Sequence, residues 1–137
     1  MKKTAADLVA EATAEIVTLS PQDALKMQQD GTAVLVDIRD IRELGRMGRV
    51  PNAVHAPRGM LEFWVDPESP YHREVFAQSG KTYIFFCAAA WRSALATQDM
   101  QNMGLAPVAQ IEGGFKKWTE DGLPVALEEK SPKAGGS

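Results

Sequence analysis

Cysteine is almost missing from this chain: of 137 residues, only Cys87 carries a thiol. One thiol excludes an internal disulfide framework and any zinc site built from several cysteines. Histidine is nearly as scarce. His55 and His72 are the two present, so neither a metal nor a metal-borne cofactor is expected. No apolar run approaches the ~20 residues needed to span a bilayer. Positive charge is not in excess either, with 15 Lys and Arg against 18 Asp and Glu, a net charge of −3. Nucleic acid and anionic membranes both favour basic surfaces, so neither is expected as a partner.

What is present is ordinary for a globular chain. Hydrophobic residues make up 45% and charged residues 24%, which excludes wholesale disorder. The length suits one domain with a real core. Lys2 and Lys3 open the chain as a secretory leader would, but Asp7, Glu11 and Glu15 interrupt any apolar stretch. A cytoplasmic protein is therefore expected, in a compartment where a lone thiol stays reduced.

Strand and helix signals alternate along the chain. Residues 4–14 read as a short N-terminal helix, and 16–19 as a short strand. Ser20 and Pro21 then start a helix as N-cap and first-turn proline, and Gly31 stops it. The run from Ala33 to Ile38 reads as a strand buried on both faces. Arg39 to Arg49 is charged and holds Gly45 and Gly48, so a loop with one helical turn is expected. A short extended piece follows around Ala53 to Ala56. Arg58 to Val65 and Tyr71 to Gln78 read as helices separated by Asp66-Pro67 and Ser69-Pro70. Thr82 to Phe86 is the strongest strand signal. Ser93 to Met103 reads as a helix ended by Gly104, Pro107 to Ile111 as a strand, and Phe115 to Glu120 as a last helix. The alternation predicts an α/β fold with a mainly parallel central sheet flanked by helices. The boundaries expected are an N-terminal helix over 1–15, a domain over 16–127, and a disordered tail over 128–137.

The segment F-F-C-A-A-A-W-R-S-A carries the chemistry. Cys87 ends a buried strand and precedes a helix. A loop there can aim backbone amides inward, and the helix N-terminus adds partial positive charge; both favour the thiolate. Ala88, Ala89 and Ala90 leave the amides uncovered, and Arg92 closes the loop with a permanent cation. The loop holds no histidine or aspartate, so activation has to be electrostatic. A free cysteine is often only a small buried hydrophobe. The strand–cysteine–small loop–arginine–helix order favours a reactive thiol instead. The pocket holding it is expected to be open at its mouth.

The ordered motifs resemble those of the rhodanese family. C-A-A-A-W-R is similar to its six-residue active-site loop, C-x-x-x-x-R, and R-S-A-L-A to the helix that follows. V-L-V-D-I-R and G-R-V-P-N-A-V-H-A-P are similar to its first two motifs, and I-E-G-G-F-K-K-W and G-L-P-V to its C-terminal signature. Together they run from Val34 to Val125. The resemblance implies a rhodanese-like three-layer fold and a sulfurtransferase that needs no cofactor. It implies that Cys87 takes a sulfane sulfur from a small donor, holds it as a persulfide, and passes it to a thiol or cyanide. Residues 88 to 92 would form the cradle for the anionic sulfur. The family often has glycine where Ala90 stands. The neutral stretch Ala88 to Ala90 offers no extra cation, so modest use of thiosulfate is expected. Two roles are open to Trp91: walling the pocket, or packing on neighbouring helices.

Asp37, Arg39 and Arg58 are placed at the border of the pocket. Asp37 and Arg39 read best as a structural ion pair. Arg58 and Glu62 read as a solvated helix face, His55 as a structural histidine, Gly113-Gly114 as a tight turn, and Trp118 as core. A cysteine phosphatase needs five residues between Cys and Arg, and this loop has four. A persulfide carrier or sulfur-sensing module would use the same thiol. A homodimer is also open, with the N-terminal helix between protomers.

Overall fold

The structure, a computed structural model, describes residues 1–127; the tail expected over 128–137 lies outside the described residues. Five parallel strands form one sheet in the order β1-β5-β4-β2-β3. They are β1 (Val17–Leu19), β2 (Ala33–Asp37), β3 (Val54–His55), β4 (Thr82–Phe86) and β5 (Val108–Ile111). Helices α1 (Ala5–Glu15), α2 (Pro21–Gln29), α3 (Ile41–Met47), α4 (Leu61–Val65), α5 (Arg92–Met103) and α6 (Gly114–Glu120) connect and flank them.

Two apolar layers sandwich the sheet. Val36, Ile38 and Phe85 face Leu61 of α4 and Ala96 and Met100 of α5. Leu35, Ile84, Phe86 and Ile111 face Ala24 of α2 and Phe115 and Trp118 of α6. This is the expected three-layer α/β architecture. Side chains alternate along a strand. In β4 that alternation sends Phe85, and beyond the strand Cys87, toward α5, and Phe86 toward α6.

From β2 the chain crosses to β3 on one side; from β4 it crosses to β5 on the other. The carboxyl ends of β2 and β4 therefore flank a switch point, where open α/β sheets place their ligands. Cys87 lies there.

Three local readings change. The segment expected as a loop from Arg39 to Arg49 contains α3, a seven-residue helix. Asp40 and Glu43 form a capping box that starts it, and the capping bonds outweigh the poor propensity of Gly45. The helix expected over Tyr71 to Gln78 shrinks to a 3₁₀ turn at Glu74–Ala77. Its first residues are taken by turns, in which the amides of Tyr71 and His72 donate to Ser69. Arg58 to Val65 begins as a 3₁₀ turn at Arg58–Met60 before α4.

The N-terminal helix has a partner within the chain. Ala12 is buried, and Gln98 and Gln101 of α5 donate to the Glu15 side chain and carbonyl. At the other end, Arg49 and Ala126 exchange backbone hydrogen bonds. The Trp118 indole donates to Pro124 O at 2.8 Å, so the last described residues strap the α6 side.

Gly114 is where backbone comes closest to a glycine. A Cβ there would lie 2.6 Å from Cys87 O and 2.8 Å from the Ala88 carbonyl. Its φ is +63°, whereas Gly31, at φ +77°, faces open space. Alanine at either position costs about 1–2 kcal/mol of left-handed strain. Overpacking at Gly114 adds about 1–3 kcal/mol more. Denaturant unfolding should therefore rank Gly114→Ala well below Gly31→Ala in stability; equal losses would remove the close contact as a constraint.

Candidate active site

Cys87 is 1% exposed, so the mouth expected over the thiol is closed in this structure. The strand alternation explains it: the sulfur is carried to the α5 side, beneath its own loop. The Ser93 amide donates to the sulfur at 3.3 Å, and the thiol meets Ser93 Oγ at 3.6 Å. The Ser93 hydroxyl donates to Gln110 Oε1 at 2.8 Å, and Gln110 Nε2 donates to Thr18 Oγ1 at 3.2 Å. Ser93 and Gln110 are both buried.

The loop carbonyls turn the other way. Cys87 O accepts from the Phe115 amide at 2.8 Å, and Ala88 O from the Lys116 amide at 3.0 Å. The first turn of α6 thus holds the front of the loop. The glycine pair before it makes a tight turn, as expected, and Gly114 leaves room for the approach.

Ala90 occupies the left-handed region at φ +70°. Alanine therefore takes the backbone conformation that glycine adopts freely, at a cost of about 1 kcal/mol or more. Trp91 is 55% exposed. It is therefore not part of the core. Its backbone is the N-cap of α5, with no side-chain cap bond, and that position directs the indole outward.

Glu43 is the main partner of the Arg92 guanidinium, with the Cys87 sulfur a lesser one. Both terminal nitrogens donate to Glu43 of α3, at 2.9 and 3.0 Å. This fork ties the back of the loop to α3. The Glu43 hydrogen bond raises the Arg92 pKa most; desolvation opposes it, and the nearby Cys87 sulfur adds to the rise. The Arg92 hydrogen bond in turn lowers the Glu43 carboxyl, with desolvation opposing and the Asp40 amide helping.

Beside the loop lies an open groove of roughly 580 Å³ lined by Arg46, Met47, Ala88, Ala89, Phe115, Lys116 and Thr119. The loop itself is neutral, as its sequence says, but its surroundings are not. Arg46 of α3 and Lys116 of α6 bring two cations to the rim. Nothing in their sequence neighbourhoods marks them, because they reach the loop through the fold.

The remaining candidates separate. Asp37 and Arg39 form a buried bidentate pair, Arg39 Nη2 to Asp37 Oδ2 being 2.7 Å, with both side chains almost fully covered. Arg39 also donates to Gly48 O at 2.9 Å and lies 4.2 Å over the Phe115 ring. The pair is structural, and it supports the residue whose amide holds Cys87 O. His55 Nε2–H donates to Arg39 O at 2.7 Å, a satisfied structural histidine. Arg58 bridges Glu62 and Asp99 at 2.8 and 2.6 Å, so it ties its turn to α5. Among the described residues, no group of three or more His, Cys, Asp and Glu could hold a metal ion. No helix there is long and apolar enough to cross a membrane.

The rhodanese-like domain family model matches residues 20–121. A solved structure from Rhodopseudomonas palustris, described as a protein of unknown function and possible tyrosine phosphatase, is 44% identical. It superposes with a TM-score of 0.86 over 91% of this chain and 96% of that one. The polysulfide-sulfur transferase homodimer of Wolinella succinogenes is 36% identical, with a TM-score of 0.67 over 88% of this chain and 85% of that one. The thiosulfate sulfurtransferase GlpE of Glaesserella parasuis is 30% identical over 80% of this chain and 92% of its own length. The chain spans 64% of the length of an uncharacterised Synechocystis protein to which it is 26% identical.

Two measurements follow from the loop. Ala90→Gly removes left-handed strain of about 1–2 kcal/mol and adds about 0.4–1 kcal/mol of unfolded-state entropy. It should gain up to about 1.6 kcal/mol in denaturant unfolding; a loss would deny the strain. The Glu43 carboxyl is lowered from an ordinary 4.5, so its clamp contributes fully above that value and is lost as pH falls through the lowered one. Wild type should therefore be more stable than Glu43→Gln at neutral pH, with the gap closing below pH 4.5. A gap independent of pH would show that the ion pair does not brace the loop.

Proposed function

The chain belongs to the rhodanese-like domain family, and from that premise we propose that it is a sulfurtransferase working through a Cys87 persulfide. The observation that carries the reading is the sulfur itself. It is the one thiol of the chain, placed at the switch point of the sheet and met by the Ser93 amide at 3.3 Å. An amide aimed at sulfur stabilises an anion there without a metal.

In the first half-reaction the Cys87 thiolate attacks the sulfane sulfur of a donor. The new S–S bond forms as the donor's sulfane bond breaks, and the donor residue leaves with the bonding pair, as sulfite does from thiosulfate. In the second half-reaction a thiolate or cyanide attacks the outer sulfur, and Cys87 leaves as the thiolate. No net oxidation of the protein occurs. The closed position of the sulfur makes entry of the donor depend on the loop parting. The rim cations Arg46 and Lys116 favour anionic donors. Thiosulfate and polysulfide both belong to that class, and the two similar transferases of Glaesserella and Wolinella are named for them. These two cations work against the modest use of thiosulfate expected from the neutral loop.

The Rhodopseudomonas description raises a phosphatase reading. Four residues between Cys87 and Arg92 give a shorter loop than the five a phosphate cradle takes, and Arg92 is committed to Glu43. A persulfide carrier uses the same first half-reaction and differs only in the acceptor. The proposal extends to a reducing compartment, the cytoplasm, and to a homodimer like that of the Wolinella protein.

Intact mass decides the core of this reading. Incubation with thiosulfate or polysulfide should add one sulfur atom to wild type, removable by cyanide, and none to Cys87→Ser. Turnover to cyanide or a thiol then separates enzyme from carrier. Loading on Cys87→Ser, or hydrolysis of a phosphate ester without any loading of wild type, would overturn it.

A further inference from the structure

Gln110 is a buried carboxamide in the middle of an apolar sheet. It sits on β5 between Ala109 and Ile111, both of which face the α6 layer. The chain of bonds it belongs to leads from the thiol, through Ser93 and Gln110, to Thr18 on the exposed edge strand β1. Burying a carboxamide unpaired costs several kcal/mol, so such a residue is retained where all its groups are used.

We propose that Gln110 is a positioning residue for Cys87: its carboxamide sets the direction of the Ser93 hydroxyl, and so lets one site hold the sulfur either as a thiol or as an anion. The proposal rests on the reading of Cys87 as the sulfur-bearing nucleophile. In the state seen here the Ser93 hydroxyl donates to Gln110 Oε1. Its lone pairs are then left for the thiol hydrogen, 3.6 Å being within reach of an S–H donor. A thiolate or persulfide anion has no hydrogen to give and needs one. The Ser93 hydroxyl supplies it by rotating toward the sulfur. Oε1 would then lose its donor, unless the carboxamide turns over. Turned over, Gln110 donates to Ser93 Oγ and accepts from the Thr18 hydroxyl, which can donate as well as accept. Every buried atom stays paired in both states. Neither an acceptor-only nor an apolar side chain can do this.

The charged groups around the loop come from several elements, Arg92 being the loop's own last residue. They are Arg92 with Glu43 of α3, Asp37 with Arg39 below β2, Arg58 with Asp99, and Arg46 and Lys116 on the groove. β1 and β5 bring Thr18 and Gln110, which do not titrate. A change at Gln110 therefore leaves those charges in place and alters only the direction of the hydroxyl.

The test is the rate of Cys87 alkylation by iodoacetamide across pH, in wild type, Ser93→Ala, Gln110→Met, Thr18→Val and their pairings. Methionine keeps the volume and removes the polar atoms. Gln110→Met should move the pH of half-maximal reactivity upward and slow alkylation at neutral pH by roughly three- to tenfold, the worth of one hydrogen bond. Ser93→Ala should do the same, and the double variant should be no slower than Ser93→Ala alone, because the two act in series. Should Gln110→Met not fold, Thr18→Val takes its place, slowing alkylation in the wild-type background and not in Ser93→Ala. A lower melting temperature with an unchanged pH profile would overturn the proposal, as would additive effects. Alkylation reads the thiol directly, so these shifts without sulfur loading would sink the sulfurtransferase reading and leave this one standing.

Discussion

The loop around Cys87 depends on one approach of backbone to backbone. The amides of Phe115 and Lys116 meet the carbonyls of Cys87 and Ala88, and nothing larger than hydrogen fits at Gly114 between them. A peptide unit whose carbonyl is pulled one way presents its amide the other way. Anchoring the front carbonyls to α6 therefore orients the loop, and the Glu43–Arg92 fork anchors its back. Sulfur is met by Ser93 at the place where those two constraints close.

The approach is itself supported from below. Phe115 lies over the Arg39 guanidinium, and Arg39 is held by Asp37 and Gly48. A buried pair of this kind is weak evidence of stability, because desolvation offsets much of its attraction. Its value here is placement. Removing one partner leaves a buried charge alone, which costs about 3–5 kcal/mol, so Phe115 and the turn before it have one permitted position.

Much of this was legible in the residues. Ala33 to Ile38 and Thr82 to Phe86 could be read as central strands because they are short, apolar and rich in β-branched or aromatic residues. Ser20-Pro21 and Gly104 marked helix ends by their chemistry. The cysteine loop stood out because small residues and an arginine follow a buried strand. The misses share a cause. The capping box of α3 was hidden among charges, and Asp40 and Glu43 are meaningful only once paired. Over Tyr71 to Gln78, turn bonds to Ser69 compete with the helix that the residues suggest. Arg46, Lys116 and Gln110 lie far from Cys87 in sequence, and only the crossing of the sheet gathers them. Arg92 is legible as part of the loop, but its partner Glu43 is 49 residues away.

The three tryptophans occupy three different surroundings. Trp118 is fully buried with its indole bonded, Trp64 lies under the Arg73 guanidinium at 3.9 Å, and Trp91 projects from the loop beside Cys87. An indole in water emits at longer wavelength than one in an apolar core, and only an exposed indole meets a dissolved quencher. The most water-exposed indole thus belongs to Trp91, four positions after Cys87. The molecule carries a built-in optical label on its loop, and a change in the loop can be followed in real time without any added dye.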